Sequence, residues 1–431
     1  MHLRRLQLEN IKCFRNVDLS FLEGNQPRRW TFLVGANGTG KSTLLKACAA
    51  AFMVEAQHAR PDPRGIRPPN RSWLRSGTQE AIVRYRGKLL DSVSAPSEGT
   101  LFVDEEGTRQ SDARIGDLGP KGDLLVAIGP MRLASGPPPA PSLPPRDDDP
   151  PPVRARRDSA RALYEFHGDL LADLYGWIRW EDYIRLKERR REAHRPSVMG
   201  SLARALDGLF DGMAKFHGVD TRGPILFDTP DGPVPIDYLA DGARSLFVIV
   251  AELLLRMDAA FPDSPDPTQE ESVCIVDELD AHLHPRLQRT VAPALRGLFP
   301  NVQFIVSTHS PFVVGASRPG EIVALRRQGD AVVAVTDVPD VAGWTADRIA
   351  TSEIFGLDTT RDLRGAEALR TEQRLLALKG PMGTTQRREL DRARSLLTQA
   401  DGPMTSLVRQ MLGRPSPAAR KRPPARKRRT R

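Results

Sequence analysis

The sequence predicts an α/β fold in which a mixed central sheet, flanked by helices, is organised around a phosphate-binding loop. Three stretches carry that prediction. Gly35-Ala36-Asn37-Gly38-Thr39-Gly40-Lys41-Ser42-Thr43 fits G-x-x-x-x-G-K-[ST], with a strand-like run (Trp30 to Val34) before it and an apolar helical run (Leu44 to Phe52) after it. Val273 to Val276 reads as a short buried strand ending in two acids, Asp277 and Glu278. Phe304 to Ser307 is a second apolar strand, leading into Thr308-His309-Ser310-Pro311.

In chain order, the opening residues alternate apolar and polar, with Leu6 and Leu8 and then Val17, Leu19 and Phe21, as expected of paired strands with one face buried. After the loop and its helix comes a Pro- and Arg-rich stretch (Arg60 to Arg71), then strand-like pieces at Ala81 to Tyr85 and Leu101 to Val103. Leu124 to Ile128 is a continuous apolar run suited to a buried strand. Gly136 to Pro152 is too Pro-rich for helix or sheet ladders and reads as a linker. Residues 153–235 read as a helical insertion, with Leu163, Phe166, Leu170, Leu174 and Ile178 at helical spacing, too short for a coiled-coil arm. Helix is predicted over Pro285 to Phe299, bent at Pro293, and a hairpin over Ile322 to Leu325 and Ala331 to Val335. Residues 341–413 read as helical and charged, and 414–431 as a disordered tail.

Composition narrows the function classes. At 431 residues and 40% hydrophobic content the chain can build a sizeable core. The longest apolar run, Leu246 to Leu255, is broken by Glu252, which excludes a membrane span, and the N-terminus has no signal-peptide pattern. Cys13, Cys48 and Cys274 lie far apart without metal spacing, the usage of a reducing, cytoplasmic compartment. Residues 414–431 hold nine basic side chains and no acid, which accounts for the whole net charge of +9. Such an arm suits salt-sensitive contact with a nucleic-acid backbone or serves only to solubilise.

The chemistry follows from the residue types. Glycines let successive amide N–H groups turn around a polyphosphate, and the following helix points its positive end at the same charge. Lys41 then reaches the outer phosphates of ATP and Ser42 ligates Mg²⁺. A buried strand delivers Asp277 to the metal side and Glu278 to the attacking water. His309, off the carboxyl edge of the sheet, is placed to donate to the outermost phosphate or its water. Before a strongly apolar helix, Leu239-Ala240-Asp241-Gly242-Ala243 offers a second anion site. One nucleotide does not need both, so the second loop closes over a nucleotide held by another copy.

This order of motifs, P-loop, LADGARS, VCIVDELDAHLHP and FIVSTHSP, resembles the ATP-binding-cassette ATPases of the SMC and RecF type. It is most similar to the AAA-like group around the overcoming-lysogenisation-defect nucleases and the ATPase subunit of Septu-type antiphage systems. The resemblance covers 1–50 and 236 to about 325 well. It implies an ABC-type P-loop NTPase domain split into 1–135 and 236–340, and a homodimer with composite ATP sites. It also implies Lys41 and Ser42 as phosphate and Mg²⁺ contacts, Asp277 as the Walker B acid, Glu278 as catalytic base, Asp280 as the D-loop acid and His309 as the switch histidine. Lys12 falls where a basic residue approaches the phosphates. Leu239 to Ala243 is the signature loop acting in trans, but Ala240 stands where a serine hydroxyl usually reaches the opposing phosphate, and Arg244 or Ser245 is left to substitute. Gln57 and Gln79 both qualify for the Q-loop.

The leading expectation is an ATP-hydrolysing dimeric clamp or motor on DNA or other nucleic acid, in DNA repair or antiphage defence. Residues 312–431 lack the D-x-D pair of a Toprim nuclease, so the chain is not expected to be a nuclease itself; a separately encoded nuclease partner is suggested by fold-level analogy alone. Two alternatives stand beside it: an ATP-gated scaffold with little turnover, and the nucleotide-binding subunit of a transporter.

Overall fold

The computed structural model describes residues 2–57, 71–88, 97–104, 108–111, 124–130, 198–210, 214–220, 224–378 and 382–400, with the single positions 174, 178 and 212. They fall in two compact units, Met1–Gly356 and Leu357–Arg431. The linker predicted at 136–152, most of the insertion at 153–197 and the basic tail lie outside the described residues.

In the first unit, β1 (His2–Ile11), β2 (Phe14–Ser20), a small ribbon of β3 (Leu22–Glu23) and β4 (Gln26–Pro27), and β5 (Trp30–Val34) precede helix α1 (Lys41–Gln57). β6 (Ala81–Lys88), β7 (Ser97–Val103), β8 (Thr108–Ser111) and β9 (Leu125–Ile128) follow. Next come α2 (Val198–Phe210), β10 (Lys215–Val219), β11 (Ile225–Thr229), β12 (Gly232–Pro235) and α3 (Asp241–Ala260). The unit is completed by β13 (Ser272–Val276), α4 (Pro285–Leu298), β14 (Val302–Ser307), α5 (Pro311–Val314), β15 (Ile322–Gln328), β16 (Ala331–Val335) and α6 (Ala346–Ala350).

The central sheet runs β16-β15-β5-β14-β13-β9, parallel except for the edge strand β16. Every residue of β5, β9, β13 and β14 is buried, because both faces of these strands are covered. One face meets α3, whose residues Leu246 to Leu255 are all buried, together with Trp30, Phe32 and Phe304. The other meets α1 and the antiparallel sheet β2-β1-β6-β7-β8, through Leu33, Ile275, Ile305, Leu6 and Leu45. Gln303, fully buried on β14, ties the two sheets together. Its side chain accepts from Leu3 N at 2.7 Å and donates to the carbonyls of Leu3 at 3.0 Å and Arg28 at 3.2 Å.

Two expectations differ from the structure. The segment read as helical through 235 is helical at Leu174, Ile178 and α2, but 215–235 is the three-stranded meander β10-β11-β12. Its turn is Thr229-Pro230-Asp231-Gly232, and the prolines of β12, Pro233 and Pro235, are accommodated because β12 is an edge. The C-terminal region does not begin at 341. Val341, Ile349 and Ile354 are buried with Val34 and Ile322, which keeps residues through 356 in the first unit.

The second unit contains α7 (Leu363–Leu376) and α8 (Thr384–Ala400). Asp362 caps α7 by accepting from Gly365 N at 2.8 Å. The helices share Ala368, Ala393 and Leu397 and the ion pairs Arg374–Glu389 at 2.7 Å and Arg394–Glu372 at 2.9 Å.

Candidate nucleotide site at the carboxyl edge of the central sheet

The loop between β5 and α1 turns on glycines in conformations that L side chains resist: φ is 152° at Gly35, 76° at Gly38 and 87° at Gly40. A Cβ at Gly35 would stand 2.5 Å from the Leu325 carbonyl oxygen and 2.8 Å from Thr39 Oγ1. One at Gly40 would meet Cys13 Sγ at 2.6 Å and the Phe14 ring at 2.7 Å. The close approach at Gly40 seats the β1–β2 turn against the loop. Lys12, in that turn, has φ 46° and is exposed, and it lies near enough to Lys46 of α1 to help lower that ammonium's pKa, after burial.

Lys41 is buried, with Nζ donating to the carbonyls of Gly35 at 2.9 Å and Ala36 at 3.1 Å. Thr39 Oγ1 also donates to Ala36 O, at 2.8 Å, while Ser42 is exposed. Burial pulls the pKa of Lys41 down, and Asp277, Glu278 and Asp280 push it back. These three acids enter from β13. Asp277 is 3% exposed and accepts the hydroxyl of Ser307, which in turn accepts from Glu278 N at 2.7 Å. Leu279 N donates to Ser307 O at 2.9 Å. Glu278 has φ 53°, a left-handed conformation costing about 1–3 kcal/mol that the Ser307 bonds hold in place.

Asp280 reaches over to the end of β14, accepting from Thr308 Oγ1 at 2.5 Å and from His309 N at 3.1 Å. Ser310 caps the following turn and donates to Gln288 Oε1 at 2.6 Å. The His309 ring is exposed, and partial desolvation followed by the Lys41 charge lowers its pKa against the pull of Asp280, Glu278 and Asp277. His309 is therefore neutral at pH 7, able to donate from one ring nitrogen and accept at the other.

The Leu239–Ala243 loop opens α3. Ala240 is its N-cap and supplies no side-chain hydrogen bond, and Asp241 is 61% exposed in an ion pair with Arg244 at 3.2 Å. Gly242 is buried, and a Cβ there would lie 2.9 Å from His282 O. Ser245 is fully buried with its hydroxyl donating to Ala281 O at 3.3 Å.

Lys12, the P-loop, Asp277, Glu278, Asp280 and His309 thus come together at one sheet edge, whereas Leu239–Ala243 starts a helix packed on the 281–283 segment. The Q-loop is not found at Gln57, which ends α1 sixteen residues beyond Lys41, about 24 Å along the helix. Ser307, Gln288 and Gln303 hold the site together and were not singled out from sequence for those roles. A serine ending an otherwise apolar strand was the one signal available for Ser307.

The fold is a mostly parallel α/β sheet flanked by helices, with a G-x-x-x-x-G-K-[ST] loop between β5 and α1 at its carboxyl edge. Residues 132–315 match the family described as AAA domain, putative AbiEii toxin, Type IV TA system, and residues 5–107 match an AAA domain family. The chain is also similar to Septu protein PtuA. It is 32% identical to the Bacillus thuringiensis protein over 169 residues, 38% of this chain and 42% of that one. With the Bacillus mycoides (strain KBAB4) protein it shares 22% identity over 365 residues, 84% of this chain and 46% of that one. The chain therefore spans under half the length of the Septu proteins it matches. Retron Vc95 probable ATPase of Vibrio cholerae serotype O1 biovar El Tor is 37% identical over 81 residues, 19% of this chain and 16% of that one. Among solved structures, an SmcHead bound to the C-winged helix domain of ScpA aligns at 16% identity and a TM-score of 0.45, over 78% of this chain and 97% of that one. Among the described residues, no helix is long and apolar enough to cross a membrane.

Proposed function

We propose that this chain hydrolyses ATP as a nucleotide-gated dimer that works with nucleic acid and a separately encoded nuclease in antiphage defence. The observation that carries this reading is Ser307 binding both Asp277 and Glu278 N, which fixes the two acids on the sheet edge that bears Lys41. Likeness to Septu and retron proteins supports defence over DNA repair.

The residues fit Mg²⁺-ATP: a glycine cradle that a Cβ would fill, an exposed Ser42 and a buried acid, Asp277, whose charge acts on Lys41. When bound, Mg²⁺-ATP supplies the phosphoryl group to be transferred and a cation that spreads its charge. Lys41 exchanges its carbonyl bonds to Gly35 and Ala36 for phosphate oxygens. Ser42 and Asp277 hold the metal side. Glu278 accepts the proton of the attacking water at its carboxylate, and neutral His309 orients that water or the outermost phosphate. Lys12 adds positive charge beside the loop. The Leu239–Ala243 loop acts on the nucleotide of a second copy. Ser245 is committed to Ala281 O, which leaves Arg244, its side chain 14% exposed and paired with Asp241, to replace the hydroxyl missing at Ala240.

Phosphate release and light scattering test the proposal together. The wild-type chain is expected to turn over ATP, and Glu278→Gln to bind it, stop hydrolysis and accumulate dimers. Full-rate hydrolysis by Glu278→Gln would place the base elsewhere. The lack of a side-chain cap at Ala240 favours one second reading, an ATP-gated scaffold, which predicts ATP-dependent dimers of the wild-type chain with negligible phosphate release.

A further inference from the structure

We propose that the cleft at the outer end of the first sheet is a second anion site, taking the phosphoryl group of a nucleotide-sized ligand. The cleft has a volume of about 550 Å³, within the range of small-ligand sites. It is lined by Arg4, Arg5, Arg28 and Arg86, with Asp18 as the sole acid among its lining residues.

Arg4 and Arg5 are consecutive, and on a regular strand they would point to opposite faces. The pairing of β1 with β6 slips between Leu3 and Arg5, and this bulge lets both side chains line one cleft. Their charges are not equivalent. Arg5 is neutralised by Asp18, with Nε 2.8 Å from Oδ1, and Arg86 pairs with Glu98 at 2.9 Å. Among the described residues, neither Arg4 nor Arg28 forms an ion pair. Arg4 donates from Nε to His2 Nε2 at 3.1 Å. Arg28 donates from Nη2 to Leu22 O at 3.1 Å, while its Nη1 is buried with no hydrogen-bond partner. Burial also lowers the pKa of Arg28, with Glu23 and Glu321 opposing.

A cleft holding two guanidinium groups that form no ion pair among the described residues, one of them partly buried, calls for a compact anion with several acceptor oxygens. A phosphoryl group supplies three oxygens in the geometry of the planar guanidinium fork. This site is not the P-loop. Arg28 lies just before β5 and the P-loop just after it, so about 16 Å of strand separates them. The wall is rigid, because the buried Gln303 amide holds the backbone of both Leu3 and Arg28.

The phosphoryl group can come from a free nucleotide or from the end of a nucleic-acid strand, and equilibrium binding to the full chain carrying Lys41→Ala separates the two. The probes are ATP and one short oligodeoxynucleotide with and without a 5′-phosphate. Lys41→Ala is expected to bind either ATP or the 5′-phosphorylated strand, and Arg4→Gln or Arg28→Gln to weaken that binding by about 10-fold or more, with Arg28→Lys between. Arg4→Gln tests the site even if Arg28→Gln destabilises the fold. The proposal is overturned if Lys41→Ala binds neither probe, if oligonucleotide binding ignores the terminal phosphate while ATP does not bind, or if Arg4→Gln with a wild-type melting temperature binds unchanged.

Discussion

Thr308 donates its hydroxyl to the carboxylate of Asp280 across 2.5 Å, clamping the segment that leaves one central strand to the segment that leaves its neighbour. His309 N adds a second bond to the same oxygen at 3.1 Å. A change on either segment is therefore felt by the other, and Asp280 is the joint.

Ser307→Ala removes both the donor to Asp277 and the acceptor for Glu278 N. The bond to the Asp277 carboxylate is worth about 1.5–3 kcal/mol and the neutral one from Glu278 N about 0.5–1.5 kcal/mol, so ATP turnover should fall about 10-fold or more while ATP binding at Lys41 falls little. Steady-state phosphate release beside equilibrium nucleotide binding checks this; equal losses in both would mean that the whole site collapses.

His309 should titrate below the ordinary histidine value of about 6.5, and Lys41→Met should move it upward by removing one of the causes of its depression. NMR titration of the ring reads both. Between its lowered folded pKa and 6.5 the unfolded chain binds more protons, so the His309 contribution to stability rises with pH across that window. Above 6.5 the penalty is absent, and below the folded pKa it is complete.

Gly40→Ala and Gly38→Ala should differ sharply. Both positions have positive φ, at a cost of about 1–2 kcal/mol for a Cβ, but only at Gly40 does the added carbon strike Cys13 and Phe14. Gly40→Ala should lower the melting temperature and abolish ATP binding at the P-loop, whereas Gly38→Ala should show the backbone cost alone. Thermal melts with and without ATP decide it.

Arg244→Ala and Ser245→Ala separate trans chemistry from packing. Loss of the buried Ser245 bond should cost about 0.5–1.5 kcal/mol of stability and leave turnover near wild type. Arg244→Ala should reduce ATP-dependent dimerisation and turnover about 10-fold, measured below its melting transition because the side chain is only 14% exposed and its loss also costs stability. Reversed outcomes would return the trans contact to Ser245.

The parts of the site carried by local pattern were legible in the sequence. The glycine spacing of 35–42, the apolar strand ending at Asp277 and the polar run at 307–310 each announce their own conformation within a few residues. Relations between segments were not legible. Nothing local says that Ser307 bridges 277 and 278, or that a glutamine in an apolar strand is satisfied by backbone groups some 300 residues away. The bulge that brings Arg4 and Arg5 together interrupts the alternation by which a strand is recognised. The meander at 215–235 was hidden because its strands are short and one carries two prolines.

The place of β5 in the sheet has a consequence for how the chain folds. Both of its hydrogen-bonded neighbours, β14 and β15, come from residues 302–328, so the strand that leads into the P-loop waits nearly 270 residues for its first sheet partner. Such pairing defers the loop-closure cost to late in folding and makes assembly slow. An amino-terminal fragment ending before residue 302 would carry every glycine of the P-loop yet lack both strands that hold it in shape. Nucleotide binding is then a property that the chain acquires all at once and late, which suits a protein whose activity should not appear in incomplete copies.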